Sequence, residues 1–319
     1  MMSRNYILAA LVVLFAFEVS AQVRNDFDQD GKSDIVFTST ILTEIAWKSV
    51  PTMDGATAIT ENFGLVKDLT IPGYWKESAS PSLAIVRLSG ESLVWRLFDG
   101  SGEVKLVTFG KKGDLVIAGA DFDGDMIADA ATVREKNGKL IWKIRLNIFT
   151  DNFSDRSVSF GKSGDRVSYI NYEGDKDWLV VFGKGPKPKK WAQLKLKNLL
   201  TGVIRTVKGF PKELAAKSRP RPLPISAADG EDIFLFVTQD ESDTTFLTYS
   251  PDGVKLSSKS LVGLGFSVIG NYNTDALGEE ILFQNNAKIR IYNPISNTVT
   301  EKDKVLGTPV GEIVFASPN

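Results

Sequence analysis

The stretch GADFDGDMIADAATV, residues 119 to 133, places four aspartates within nine residues and then continues as an apolar, β-favouring segment. These aspartates occupy loop positions 1, 3, 5 and 9, at Asp121, Asp123, Asp125 and Asp129. Alternate residues of a tightly curled loop point inward, so several carboxylate oxygens aim at one point, and Ile127 at position 7 can add a backbone carbonyl. Because such close charges repel one another without a cation, the stretch predicts a cation-binding loop that enters a β-strand.

The same pattern recurs every 47 to 53 residues along the chain. The six repeats start at Asp26, Tyr74, Asp121, Asn171, Pro224 and Asn271. A large apolar residue follows each start by 18 to 22 residues, at Trp47, Trp95, Trp142, Trp191, Phe246 and Ile289. In the first three repeats a Phe-Gly pair comes next, at Phe63-Gly64, Phe109-Gly110 and Phe160-Gly161. Three markers in one register indicate a repeat architecture that leaves no room for a second domain in residues 22–319.

The strands of the third repeat can be predicted one by one. The predicted strands are LVIAGA, AATVRE, LIWKIRL and RSVSFG, which cover residues 115–120, 130–135, 140–146 and 156–161. An NGK turn joins the middle two as a hairpin. Four antiparallel strands per repeat predict an all-β chain folded as a single β-propeller, with six four-stranded blades or, as the alternative, seven.

The two ends of the repeat array are complementary. The first repeat starts at its acidic loop and lacks an inner strand, whereas the segment LGTPVGEIVFASPN, residues 306–319, has an inner-strand pattern and no acidic loop after it. We therefore expect residues near 310–316 to supply the inner strand of the first blade. This pairing would close the ring and remove exposed strand edges.

Acidic loops in two further repeats follow the spacing of residues 121–129. In the first repeat the candidate ligands are Asp26, Asp28, Asp30 and Asp34, with Lys32 at the backbone-carbonyl position. In the sixth they are Asn271, Asn273, Asp275 and Glu279, with Leu277 at that position. A hard cation that prefers six to eight oxygens fits such loops, which favours Ca²⁺ over Mg²⁺ or Zn²⁺. We expect two calcium sites and a weaker third; the alternative for each loop is a solvated acidic turn.

These loops resemble those of a known family. DFDQDGKSDIVF and DFDGDMIADAATV, each followed by a tryptophan strand and a Phe-Gly pair, are similar to the FG-GAP or VCBS-type repeat of integrin-like β-propellers. The resemblance covers the chain from about Val23 onward, and Met126 departs from the glycine usual after the third carboxylate. It implies calcium-binding loops on one propeller face. Proteins with such repeats include extracellular binding and adhesion proteins, lectins and polysaccharide-degrading enzymes.

The amino-terminal segment predicts export. Arg4 precedes a 12-residue apolar run, Tyr6 to Phe17, and a small-residue pattern ends at Ala21. This run is shorter than the ~20 residues of a membrane-spanning helix, so we expect a signal peptide, residues 1–21, and an exported chain, residues 22–319, that is secreted, periplasmic or on the cell surface. The chain contains no cysteine, which excludes disulfides and a lipid-modified cysteine.

The chain also contains no histidine, which excludes a Ser/His/Asp triad and the usual zinc site. Its charge is uneven, because residues 184–221 carry 12 Lys and Arg against one acid, Glu213. This basic sector could attract an anionic polymer; it could equally be a solvated face. The candidate contacts are Lys184, Lys187, Lys189, Lys190, Arg219 and Arg221, together with two tryptophans outside the strand register, Trp75 and Trp178.

The sequence leaves three functions open. One is an exported calcium-binding propeller that acts as a non-catalytic binding or adhesion module for a glycan or protein partner. Another is a polysaccharide hydrolase or lyase on the same fold, although the clustered acids are already explained as cation ligands. A third is a scaffold subunit of an exported complex. We expect a monomer without sequence-specific nucleic-acid binding.

Overall fold

The computed structural model of the chain is all-β. It describes residues 26–29, 31–41, 43–50, 59–78, 80–98, 104–172, 176–184, 191–211, 214, 222–226, 232–239, 243–250, 252–262, 266–270, 280–285, 288–303 and 312–313. The predicted signal peptide lies outside these residues. Within them, no helix is long and apolar enough to cross a membrane.

The described residues form six antiparallel sheets of four strands each. In the first sheet, three strands are β1 (Ile35–Ile41), β2 (Glu44–Val50) and β3 (Ile59–Leu65). The second sheet contains β4 (Leu69–Thr70), β5 (Leu83–Ser89), β6 (Ser92–Phe98) and β7 (Val104–Lys111). The third contains β8 (Leu115–Ala120), β9 (Asp129–Lys136), β10 (Lys139–Leu146) and β11 (Ser154–Lys162).

The remaining sheets follow the same order along the chain. The fourth contains β12 (Arg166–Asn171), β13 (Asp177–Lys184), β14 (Trp191–Lys197) and β15 (Ile204–Pro211). The fifth contains β16 (Pro222–Ser226), β17 (Asp232–Gln239), β18 (Asp243–Tyr249) and β19 (Lys255–Val262). The sixth contains β20 (Phe266–Gly270), β21 (Glu280–Asn285), β22 (Lys288–Asn293) and β23 (Thr298–Asp303). The four strands predicted in the third repeat correspond to β8–β11, with bounds that differ by at most two residues.

The fourth strand of the first sheet is β24 (Glu312–Ile313), from the far end of the chain. It pairs antiparallel with β1, with Phe37 opposite Ile313 and Thr38 opposite Glu312. These residues fall within the segment 310–316 that was expected to complete the first repeat.

Hydrophobic cores lie between consecutive sheets. Ile85 of β5 packs with residues of the first sheet, whereas its neighbours Ala84 and Val86 pack with residues of the third. Ala130 and Ala131 of β9 divide in the same way between the cores on either side of the third sheet. The second strand of these sheets is therefore buried on both faces, which explains why its sequence is an unbroken apolar run rather than an alternation.

A large side chain is fully buried at the fourth residue of the third strand in each sheet. These residues are Trp47, Trp95, Trp142, Leu194, Phe246 and Ile291. The large apolar marker residue was therefore assigned wrongly from the sequence in two repeats, where Trp191 and Ile289 were chosen. The connection before β14 has six residues, against two before β2, β6 and β10, and the second strand of the sixth sheet, β21, is shorter than its counterparts. Counting from the repeat start therefore displaces the marker by two or three positions.

The tryptophan and Phe-Gly markers form one structural unit. The indole N–H groups of Trp47, Trp95 and Trp142 donate hydrogen bonds to the backbone carbonyls of Phe63, Phe109 and Phe160, at 2.6, 2.8 and 2.8 Å. Each bond joins the third strand of a sheet to its fourth. A buried indole needs such a partner, so the two markers recur together because each satisfies the other.

The glycine of each Phe-Gly pair permits close packing onto the next sheet. Gly64, Gly110 and Gly161 have φ values of 99°, 94° and 99°. A methyl group at these positions would lie 3.2 Å from Ile85, 2.7 Å from Thr132 and 2.9 Å from Val181, all on the second strand of the following sheet. Glycine is required here both for its backbone conformation and for the space it leaves.

Candidate metal centre

The candidate site is the loop at residues 121–129, which connects β8 to β9. Asp121 folds this loop around its own carboxylate. Its Oδ1 accepts hydrogen bonds from the backbone N–H groups of Gly124 at 2.7 Å and Asp125 at 3.2 Å, and its Oδ2 accepts one from Met126 at 2.8 Å. Short-range aspartate–backbone bonds of this kind close turns, so position 1 of the loop determines its curl.

Asp129, the first residue of β9, fixes the other end of the loop. Its Oδ2 accepts a hydrogen bond from the N–H of Phe122 at 2.9 Å, and its Oδ1 accepts one from Asn147 at 2.8 Å. Asp129 is fully buried, as is the side chain of Phe122, which packs into the core between the third and fourth sheets. The loop is therefore anchored to the core at both ends.

Three carboxylates converge inside the loop. Oxygens of Asp121, Asp123 and Asp129 all lie within 4.8 Å of one another, and no other group of three His, Cys, Asp or Glu residues in the described part of the chain is as close. Oδ1 of Asp123 is buried and has no hydrogen-bond partner among the described residues. An unpaired buried oxygen is costly, and this one can serve as a ligand.

The proximity of these groups perturbs their proton affinities. Burial, followed by the charges of Asp125 and Asp121, raises the pKa of Asp123 to about 6. Burial also raises the pKa of Asp129 to about 8, against the lowering effect of the Asn147 and Phe122 N–H groups. The pKa of Asp121 is raised by burial as well. Each shift reflects the free energy of holding a negative charge here without a compensating positive one.

Asp125, Met126 and Ile127 form the outer part of this loop. The Asp125 carboxylate does not belong to the group of three, and its Oδ1 accepts a hydrogen bond from the Ile127 N–H at 2.9 Å. Met126 adopts a φ of 65°, a backbone conformation that favours glycine. The loop therefore keeps the glycine-type conformation with a methionine, whose side chain is exposed.

The acidic loop of the first repeat has matching hydrogen bonds. Oδ2 of Asp34 accepts one from the N–H of Phe27 at 3.0 Å, as Asp129 does from Phe122. Oδ2 of Asp26 accepts one from Gly31 at 3.0 Å, as Asp121 does from Met126. Two loops 95 positions apart thus share the contacts made by their first and last aspartates.

Contacts from neighbouring repeats also support the loop at 121–129, and sequence reasoning missed their role. The N–H of Ala128 donates a hydrogen bond to the carbonyl of Tyr74 at 2.7 Å. Burial, followed by the charge of Asp26 in the first loop, raises the pKa of Tyr74 to about 12. Asp177 binds the backbone of Asp121, and Asn147 binds Asp129. No spacing signal could have found these residues, since their partners belong to other strands or repeats.

Several predicted residues lie outside the described part of the chain. Among the cation ligands these are Asp30, Asn271, Asn273, Asp275, Leu277 and Glu279. In the basic sector they are Lys187, Lys189, Lys190, Arg219 and Arg221, while Lys184 is the last residue of β13. In the first loop, Asp28 and Lys32 are exposed and half-buried, respectively.

The interpretation of Trp75 and Trp178 as exposed contacts is wrong. Trp75 is 0% exposed, and its indole N–H donates to the carbonyl of Ile71 at 2.7 Å. Trp178 is 4% exposed and packs edge-on against Tyr172. Both residues lie near the starts of the second and fourth repeats, but their large apolar surface fills the cores between sheets instead of facing solvent.

Comparisons with known proteins identify no family for this chain. No protein-family model matches it, and no curated protein matches it. Eleven chains of solved structures do match. The AfRom2 CNH domain is 11% identical with a TM-score of 0.44 over 85% of this chain and 86% of that one. Rhamnogalacturonan lyase YesW is 12% identical with a TM-score of 0.41 over 91% of this chain and 66% of that one. Identities and TM-scores this low carry no conclusion about what this chain binds.

Proposed function

We propose that the chain is an exported, calcium-binding β-propeller of six blades that acts as a non-catalytic binding module. Each four-stranded sheet would be one blade, and the pairing of β24 with β1 would close the ring. The repeated bond between tryptophan and Phe-Gly in the first three sheets supports an array of equivalent units. The resemblance of the acidic loops to FG-GAP or VCBS repeats gives the same architecture.

The observation that carries the calcium proposal is the group formed by Asp121, Asp123 and Asp129. Its donors are all oxygens, which suits a hard cation, and a loop that supplies carboxylates and backbone carbonyls suits the larger coordination number of Ca²⁺ better than the octahedron of Mg²⁺. A bound cation would compensate the charges that raise these pKa values. The experiment is thermal unfolding with calcium and with a chelator; the proposal requires calcium to raise the midpoint.

The partner proposed for this module is a glycan or protein outside the cytoplasm, with an anionic polysaccharide as the class best suited to the basic sector at 184–221. Its 12 basic residues against one acid form a local field that attracts polyanions at low ionic strength. We expect the chain to bind a dextran sulfate resin, to elute as salt screens the charges, and not to bind neutral dextran.

A triple variant tests this sector. Lys187→Ala, Lys189→Ala and Lys190→Ala together should lower the salt concentration at which the chain elutes from dextran sulfate. The matched control removes three exposed lysines elsewhere, Lys105, Lys112 and Lys139. If both triple variants elute at the same salt concentration, retention reflects total charge and the sector is not a binding site.

A further inference from the structure

Asp177 makes two hydrogen bonds to the first residue of the neighbouring acidic loop. Its Oδ2 accepts a hydrogen bond from the backbone N–H of Asp121 at 2.8 Å. Its own N–H donates a hydrogen bond to the backbone carbonyl of Asp121 at 2.6 Å. Because Asp177 is the first residue of β13, these bonds join the candidate metal centre of the third sheet to the fourth sheet.

The backbone half of this contact has a counterpart one repeat earlier. Ala128, the residue before β9, donates its N–H to the carbonyl of Tyr74, which begins the second repeat. At both boundaries, the start of a second strand binds the first loop residue of the preceding repeat. Asp177 adds a carboxylate, which accepts the N–H of Asp121 as well.

Both hydrogen bonds act on the residue that folds the loop. The side-chain oxygens of Asp121 accept the N–H groups of Gly124, Asp125 and Met126, so the position of its backbone determines where these groups and its carboxylate lie. Asp177 binds both the N–H and the carbonyl of Asp121, so the backbone of Asp121 is held while its carboxylate binds the loop.

We propose that Asp177 is a positioning residue for the metal centre at 121–129 and not a ligand of a separate site in its own repeat. This inference rests on the proposed calcium function. Groups that orient a metal ligand without touching the metal commonly change metal affinity 10–100-fold when removed. Cation binding at the loop and the boundary between the third and fourth sheets then stabilise each other, since both depend on the same backbone position.

Calcium titrations of the full chain by calorimetry test this inference. Every variant also carries Asp28→Ala and Asp275→Ala, so that the first loop and the loop at 271–279 do not contribute to the signal. Asp177→Asn keeps an oxygen that can accept the Asp121 N–H, and Asp177→Glu keeps the charge but displaces the carboxylate by one methylene. Asp177→Ala loses both the acceptor oxygen and the charge. The charge-matched control is Asp151→Ala, an exposed residue in the turn after β10 that pairs with Lys105.

We expect Asp177→Ala and Asp177→Glu to raise the calcium Kd about tenfold, while Asp177→Asn and Asp151→Ala stay within about twofold of the parent. Unfolding midpoints in chelator show whether each variant folds, and Asp177→Glu provides the decisive comparison if Asp177→Ala does not. Equal Kd values for Asp177→Glu and Asp151→Ala would overturn the inference and leave the calcium proposal intact. If the parent gives no calcium-binding signal at all, the calcium proposal fails, and this inference fails with it.

Discussion

At the residue scale, the carboxylates of the candidate metal centre oppose the stability of the ion-free fold. Asp129 is fully buried and its pKa is raised to about 8, and the pKa of Asp123 is raised to about 6. When folding raises the pKa of a carboxyl group, that group stabilises the protein at pH values below its pKa in the unfolded chain. This stabilisation is lost as the pH rises through the pKa of the group in the folded protein. The charged loop is therefore least favourable in the pH range where calcium binds best.

We predict that calcium affinity rises with pH. Because calcium requires deprotonated carboxylates, it must displace protons from Asp123 and Asp129 below pH values of about 6 and 8. The Kd should be at least about tenfold lower at pH 8 than at pH 5.5, as measured by titration. A Kd that does not change over this pH range would contradict the prediction.

In chelator, Asp123→Asn should show a smaller loss of stability than the wild type as the pH rises through 6.

Residue spacing predicts local contacts in this chain and misses those between repeats. The alternate aspartates at 121–129 and 26–34 indicated inward-facing carboxylates, and three of them do converge in the third repeat. Asp177 and Asn147 contact that loop from residues 56 and 18 positions away, so no local pattern could identify them. The burial of Trp75 and Trp178 likewise depends on the neighbouring sheets, which the loop sequences beside them do not reveal.

At the element scale, the fourth strand and the turn after it join each of the first three sheets to the next. The fourth strand receives the tryptophan N–H bond from its own sheet, and its Phe-Gly glycine lies against the following sheet. A carboxylate closes the turn that follows the fourth strand. Asp68, Asp114 and Asp165 accept hydrogen bonds from the backbone N–H groups of Leu65, Lys111 and Lys162, respectively. Arg87 and Arg134 of the next sheets pair with the first two of these aspartates. This F-G-x-x-x-D pattern spans the boundary between sheets.

Two glycines, one near the end of β11 and one in the turn before β12, allow a matched test of this packing. Gly161 and Gly164 have φ values of 99° and 81°, so alanine is conformationally unfavourable at both. A methyl group at Gly161 would lie 2.9 Å from Leu140 and Val181, whereas at Gly164 it would meet nothing within 4 Å. We expect Gly161→Ala to lower the free energy of unfolding by about 1–3 kcal/mol more than Gly164→Ala. Denaturant unfolding measures the difference.

Equal destabilisation by the two substitutions would mean that only backbone conformation matters at these glycines. The sheets would then not depend on the close approach at Gly161. A larger loss at Gly161 would show that the Phe-Gly pair is retained for packing between sheets as well as for its turn.

Strands of this chain are more predictable than its repeat register. β8–β11 follow the predicted segments because side-chain alternation is a local property of a strand. The buried positions of β14 and β22 did not follow, because the longer connection before β14 and the shorter strand β21 displace Leu194 and Ile291 from the expected spacing. Burial on both faces also removes the alternation from second strands such as β9, where only the surrounding turns mark the element.

At the scale of the whole molecule, the described residues of the six small sheets form hydrophobic cores between consecutive sheets, from the first to the sixth. No sheet of this kind can bury both faces alone, so stability depends on the boundaries between neighbours. The acidic loop of the third repeat touches two of these boundaries, through Tyr74 and Asp177. Calcium binding at one loop should therefore stabilise more than the hairpin that contains it.

The most direct test of the calcium proposal is the thermal unfolding midpoint of the full chain at pH 7.5, with excess calcium and with a chelator. At a calcium concentration of about 100 times Kd, binding contributes about 2.7 kcal/mol, which corresponds to a rise of about 5 °C for a chain of this size. Asp123→Ala should lose a large part of this rise without lowering the midpoint in chelator, because it removes a repelling charge. The control Asp151→Ala should keep the full rise. Identical midpoints with calcium and chelator for the wild type would contradict the account.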